Sequence, residues 1–189
     1  MSKFIQGHND LETKYPDIAA EAYGWDPSTV LAGTHQRKAW KCSQGHTWET
    51  KVIERTGKSK TGCPFCKNRK VLIGFNDLKT KFPDIASEAH GWDPSTFIAG
   101  SNKKLSWKCS KGHTWEAVIN SRSFCGNGCP FCSNKKLWIG FNDLKTKFPD
   151  IAEEAHGWDP STVLYGTHEK KIWKCTKGHT WKTKVVERT

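Results

Sequence analysis

Two hydrophobic rhythms alternate along this chain. Leu78, Phe82, Ile85 and Ala89 recur at i, i+4, i+7 and i+11, the spacing that gathers apolar side chains on one face of a helix. Asn76 or Asp77 offers a cap ahead of them. Pro83 divides the segment into two short helices by standing at a helix start, and Gly91 ends the second. Asp93-Pro-Ser-Thr96 then suits a type I turn. Beyond it the period drops to two: Trp115, Ala117 and Ile119 alternate with Glu116, Val118 and Asn120. That run predicts a strand with one apolar face, and with Ser106-Trp107-Lys108 before it, a β-hairpin. The helical pair resembles a helix-turn-helix in outline, but Pro83 and the neighbouring acidic residues suit a recognition helix poorly. Packing of the helices on the hairpin accounts for the same spacing.

The pattern occurs three times. Gly7-His-Asn-Asp-Leu11 matches Gly74-Phe-Asn-Asp-Leu78 and Gly140-Phe-Asn-Asp-Leu144, and Gly24-Trp-Asp-Pro-Ser-Thr29 returns at 91–96 and 157–162. Trp48, Thr50, Val52 and Trp181, Thr183, Val185 repeat the strand alternation. The modules are read as 1–73, 74–139 and 140–189. The third stops at Val185-Val-Glu-Arg-Thr189, which matches Val52-Ile-Glu-Arg-Thr56, just before the Cys-Pro-Phe-Cys found in the other two. It is therefore expected to be truncated ahead of its CxxC.

The apolar content is low for one large core, with 35% hydrophobic residues, and eight Cys and ten Trp ask for another stabiliser. The first residues lack the apolar run of a signal peptide and no stretch reaches membrane-spanning length, so a soluble cytoplasmic protein is expected. In a reducing compartment, paired cysteines more often hold metal than form disulfides.

Cys42-x3-His46 is followed after 16 residues by Cys63-x2-Cys66, and Cys109-x3-His113 after 15 by Cys129-x2-Cys132. Two close pairs from two turns are how a protein offers four ligands to a tetrahedral zinc ion, and Cys3His is a standard structural set. A redox dithiol is the competing reading of CxxC alone; the matched second pair, present twice, favours zinc. Gly45, Gly112 and Gly178 permit the tight turn between the first two ligands. Cys175 and His179 form a half-site, and Cys125 stands outside the pattern as a free thiol. For modules this small, apolar burial at about 25 cal/mol per Å² roughly cancels a chain entropy of about 1.5 kcal/mol per residue. A structural zinc contributes about 10–16 kcal/mol in zinc-finger peptides. Metal is therefore expected to decide whether each module folds. With four protein ligands and no open position, both sites read as structural rather than catalytic.

The set Gly-Phe-Asn-Asp-Leu, Trp-Asp-Pro, Trp-Lys-Cys-x-x-Gly-His-Thr-Trp and Cys-Pro-Phe-Cys resembles the zinc-ribbon or treble-clef domain family found in tandem in bacterial and phage proteins, over essentially the whole chain. The resemblance implies small α+β zinc-stabilised modules, each a zinc-knuckle β-hairpin with two short helices. It also implies Zn2+ at the two complete ligand sets and, since some relatives carry such modules beside nuclease-like domains, nucleic-acid targeting.

Charge separates within every repeat. Residues 35–70 carry ten Lys/Arg against two Asp/Glu, 101–136 seven against one and 168–189 seven against two, while 7–34, 74–100 and 140–167 are net −4, −2 and −3. Positive potential on the hairpin half is what a phosphate-binding face looks like. Lys38, Lys41, Arg55, Lys103, Lys104, Lys108, Arg122, Lys170, Lys171, Lys174 and Arg188 are the candidate contacts. The plainer reading is a solvated surface. Trp25, Trp92, Trp158, Trp48, Trp115 and Trp181 are expected in the cores, and Trp138, without counterparts, outside them. With His46, His113 and His179 assigned to metal, no His, nucleophile and carboxylate constellation remains, so no enzyme is predicted. The reading is a nucleic-acid-binding accessory or targeting protein, with DNA preferred over RNA. A protein-protein scaffold, or the targeting part of a nuclease whose catalytic domain lies outside this chain, stands as the alternative.

Overall fold

The computed structural model describes residues 3–58 and 60–189. Each repeat opens with two one-turn helices: α1 (Leu11–Lys14) and α2 (Pro16–Ala19), α4 (Leu78–Lys81) and α5 (Pro83–Ala86), α7 (Leu144–Lys147) and α8 (Pro149–Ala152). Asp10, Asp77 and Asp143 start the first of each pair, their carboxylates accepting from the backbone N–H of Thr13, Thr80 and Thr146 at 2.8 Å. The proline at the head of the second helix forces the residue before it out of helical backbone. Tyr15 and Phe148 accordingly sit at φ −145° and −138°. Three-residue 3₁₀ turns at Pro27–Thr29, Pro94–Thr96 and Pro160–Thr162 take the place of the expected type I turns, each capped by the preceding aspartate.

The hairpins are β1 (Arg37–Lys41) with β2 (Thr47–Lys51), β3 (Lys104–Lys108) with β4 (Thr114–Val118), and β5 (Lys170–Lys174) with β6 (Thr180–Lys184), all antiparallel. Register sets tryptophan opposite tryptophan in each: Trp40 and Trp48, Trp107 and Trp115, Trp173 and Trp181.

Two expectations are corrected. The strand ends at Val118, and Ile119 begins another short helix, α6 (Ile119–Ser123), as Val52 begins α3 (Val52–Thr56). Alternation misled here because the inward residue after the strand is buried equally well by a helical turn; Ile119 and Val52 are fully buried. The second helix also stops at Ala86 rather than reaching Gly91, since Ala89 leaves the helix to bridge Trp107. Ala22 and Trp40, and Ala155 and Trp173, pair in the same way.

Contacts divide the chain into two compact units, 1–83 with 93–100, and 84–92 with 101–189. In the first, Leu11, Ala19, Val30, Trp40 and Val52 form a core with Tyr15, Ile18, Trp25 and Trp48 packed on it. In the second, Leu144, Ala152, Val163, Trp173 and Val185 do the same with Phe148, Trp158 and Trp181. The helices thus pack on the hairpin. Trp25 meets Trp40 edge-on at 5.2 Å, and Trp92 with Trp107 and Trp158 with Trp173 repeat the contact at 5.0 and 5.1 Å. The six tryptophans expected in the cores are all buried or half-buried. Among the described residues no helix is long and apolar enough to cross a membrane.

Candidate metal centre

Each hairpin tip is built to converge two ligands. Cys109 N–H donates to the His113 carbonyl and Gly112 N–H to the Cys109 carbonyl, with Gly112 at φ 83°, a left-handed turn that a side chain would strain. Gly45 and Gly178 adopt the same backbone at φ 82° and 89°. Cys63 and Cys66, and Cys129 and Cys132, come from the Cys-Pro-Phe-Cys loop, where N–H groups of Lys67 and Ser133 fold back to the carbonyls of Cys63 and Cys129.

These turns bring four donor atoms together in each of two places: Cys42, His46, Cys63 and Cys66, and Cys109, His113, Cys129 and Cys132, all within 4.8 Å of one another. In the second, His113 Nδ1 lies 3.5, 3.6 and 3.3 Å from the sulfurs of Cys109, Cys129 and Cys132, and Cys109 and Cys132 sulfurs are 3.8 Å apart. In the first, His46 Nδ1 lies 3.6, 3.7 and 3.2 Å from the sulfurs of Cys42, Cys63 and Cys66, and the Cys42 and Cys66 sulfurs are again 3.8 Å apart. A tetrahedral ion with zinc bond lengths of about 2.3 Å to sulfur and about 2.0–2.1 Å to nitrogen has edges of about 3.8 Å (S to S) and about 3.6 Å (S to N). The donor set fits. None of the eight cysteines is in a disulfide.

Without a cation, three ionised sulfurs this close repel. Burial, then hydrogen bonding and charge from Cys63 and Cys42, push the Cys66 thiol up to about 12, and burial with Cys129 and Cys109 does the same to Cys132. For Cys42 burial acts upward too, but N–H groups of Gln44 and His46 and the two neighbouring thiols outweigh it and hold the group below its ordinary value. A divalent ion resolves the conflict by favouring thiolate throughout.

In the third repeat Cys175 Sγ and His179 Nδ1 stand 3.7 Å apart, the same half-site without a second pair. His179 is exposed where His113 is buried.

The family model described as Probable Treble clef zinc finger domain matches residues 20–69, 86–135 and 152–189. The chain belongs to this family. Its three matches are tandem treble-clef zinc-finger repeats, two with a complete four-ligand metal site and the third with half a ligand set. No curated protein matches the chain.

The treble clefs show what the sequence did not. Asn76, one of two candidate caps, does not cap. It is buried, its Nδ2 donating to the carbonyls of Phe65 and Lys70 at 2.9 Å and to Asn68 Oδ1 at 3.3 Å, while its Oδ1 accepts from Leu72 N–H at 2.7 Å. Phe75 beside it lies 4.2 Å from the His46 ring. Asn142 makes the same bonds to Phe131, Lys136, Asn134 and Trp138, and Phe141 lies 4.3 Å from His113. The start of each following repeat therefore latches the knuckle of the one before. Trp138, on the edge of this latch at 37% exposure, packs 4.9 Å from His113. The recurrence of Asn directly before the capping Asp was the available signal.

The arginines among the predicted phosphate contacts are corrected. Arg55 is 5% exposed, stacked between Trp40 and Trp48 at 4.7 and 5.3 Å and paired with Glu21 at 2.6 Å. Arg122 repeats this with Trp107, Trp115 and Glu88, and Arg188 with Trp173, Trp181 and Glu154. A guanidinium stacked and paired inside the module is committed to the fold. Lys38 and Lys171 lie half-buried over Trp25 and Trp158 at 5.4 and 5.7 Å, and Lys171 pairs with Glu169. Lys104 is exposed but paired with Glu116. Lys41, Lys103, Lys108, Lys170 and Lys174 are exposed. Strand alternation places Arg37, Lys41 and Lys51 on the hairpin face opposite the tryptophans, and in the third repeat Lys170, Lys174, Lys182 and Lys184.

Proposed function

We propose that the two complete centres hold structural Zn2+ and that the outer faces of the hairpins bind nucleic acid through phosphate contacts, with no catalytic role for the metal. The observation that carries the reading is the division of labour on the strands. Inward residues build the tryptophan core, and outward ones repeat a lysine at Lys41, Lys108 and Lys174 just before the first ligand cysteine of every module. Zinc fixes the tip of the first two hairpins, so these lysines are held at defined positions. Four protein ligands leave the ion no open position for substrate or activated water. Unpaired thiols throughout fit a reducing compartment, the cytoplasm. Phosphate contacts carry no sequence information, so binding is of low specificity, with duplex DNA the first substrate to try.

Fluorescence anisotropy of the zinc-loaded chain with random-sequence DNA and RNA across a salt series tests this. With about 6–10 phosphate contacts, affinity should fall roughly 10³–10⁵ between 50 and 200 mM salt. Replacing Lys41, Lys108 and Lys174 together by Ala should lower the log–log slope by about 0.9 for each phosphate left without its lysine. No binding even at about 50 mM salt would reject the reading and leave a protein partner for these modules.

A further inference from the structure

A cleft recurs at the same place in the first two repeats. After α2 ends at Ala19 and α5 at Ala86, the chain runs alongside the first strand of its hairpin. Lys41 N–H donates to the Glu21 carbonyl and Lys108 N–H to the Glu88 carbonyl, both at 2.8 Å, and the N–H groups of Tyr23 and His90 donate to the carbonyls of Ala39 and Ser106, both at 3.1 Å. Backbone bonds thus fix both walls. Between them lies an opening of 350 Å³ lined by Tyr23, Lys41 and Ser43 in the first repeat, and one of 400 Å³ lined by His90, Lys108 and Ser110 in the second. Both stand at the lower end of the about 300–1,000 Å³ of small-molecule sites.

Folding does not require what these clefts present. Tyr23 is 50% exposed and takes no part in the first core, on which Tyr15, Ile18, Trp25 and Trp48 pack instead. His90 is exposed at the matching position. Lys41 and Lys108 are exposed and, among the described residues, in no ion pair, and the hydroxyls of Ser43 and Ser110 make no hydrogen bond there. Lys41 Nζ stands 5.4 Å from the centre of the Tyr23 ring, so ammonium and ring share one mouth. Glu21 and Glu88, the one carboxylate in each lining, are already paired with Arg55 and Arg122. Each cleft therefore offers an unengaged cation, a hydroxyl and a ring. In the third repeat Glu153 stands where Ala20 and Ser87 stand and sets a carboxylate at this place, so no such site is assigned there.

We propose that each of the two clefts holds one unpaired nucleotide of a single strand, with Tyr23 or His90 against the base and Lys41 or Lys108, aided by the serine hydroxyl, on its phosphate. In a duplex the faces of a base are covered by its neighbours, so these rings reach them only in an unpaired strand. Stacking of this kind is tolerant of base identity, as every base has a π-face. The site rests on the nucleic-acid reading above and narrows its partner from duplex to single strand.

Fluorescence anisotropy of the zinc-loaded chain with oligothymidylate, which does not pair with itself, and with a duplex of equal length tests this at about 50 mM salt. The single strand should bind more tightly. Tyr23→Ala and His90→Ala should each weaken single-strand binding roughly tenfold, the loss of one stacked base, and leave duplex affinity unchanged. His90→Tyr, which copies Tyr23 into the second repeat, should strengthen single-strand binding, a sign that misfolding does not produce. Binding to duplex alone, or alanine variants that leave single-strand affinity unchanged, overturns the proposal and keeps the phosphate reading. No binding to either nucleic acid overturns both. If an alanine variant loses zinc by native mass spectrometry, His90→Tyr decides, and no gain in single-strand affinity overturns the proposal.

Discussion

The second and third repeats match up to the hairpin tip and differ beyond it. The second carries on to Cys129 and Cys132 and closes a metal centre; the third presents Cys175 and His179 alone. Yet Leu144, Trp173 and Val185 are as fully buried as Leu78, Trp107 and Ile119. Spacing of the first ligand pair is also unchanged, 3.7 Å against 3.5 Å. The aromatic core and the hairpin tip thus take the same form in both repeats. What the second ligand pair brings is the knuckle, and through Asn76 and Asn142 the attachment of that knuckle to the next repeat.

The sharpest way to break this comparison is to remove a ligand on each side of it. Cys132→Ser should reduce the bound zinc from two ions to one by native mass spectrometry, and release a knuckle whose metal is worth several of the about 10–16 kcal/mol seen in zinc-finger peptides. Cys175→Ser should leave two ions and change stability by less than about 0.5 kcal/mol. Next in size, Trp107→Ala and Trp173→Ala should each cost about 3–5 kcal/mol in urea unfolding. A much smaller loss for Trp173 would show that the incomplete repeat does not keep its core. Arg122→Ala should cost about 2 kcal/mol, less than the about 3–5 of a fully buried broken pair because the Glu88 side chain keeps 30% exposure. Arg188, at 22% exposure against 5%, should cost less again.

The smallest effect is a cap. Asp77→Ala and Asp143→Ala should each cost about 1 kcal/mol at neutral pH. Burial pushes the Asp77 carboxyl up, but the Thr80 hydroxyl and the N–H groups of Thr80 and Gly74 outweigh it and hold the group below the usual carboxylate range; Thr146 and Gly140 do so for Asp143. A folded value below the unfolded one, about 3.9, means the stabilisation is complete above that pH and is lost as pH falls through the lower folded value. The difference between each variant and the parent should therefore shrink in acid unfolding below about pH 4.

Much of this was legible beforehand because it is local. A ligand pair four residues apart, an aspartate three residues ahead of the N–H it accepts from, a proline at a helix start and a two-residue alternation are all short-range constraints that the order of residues states directly. The helix ends and the strand end were misplaced where a longer-range contact intervened, as when Ala89 gives up helix to bridge Trp107.

The sequence by itself determined three repeats, two complete Cys3His sets and a half-site, since ligand type and spacing fix what a tetrahedral ion can bind. Only the tertiary structure decided the fate of the arginines and asparagines. Arg122 meets its carboxylate 34 residues away and its two tryptophans across a hairpin, and Asn76 reaches back 11 residues into another knuckle. A cation on a surface and one sealed in a stack read the same in a tally of charges, because burial belongs to the packed chain and not to the residue.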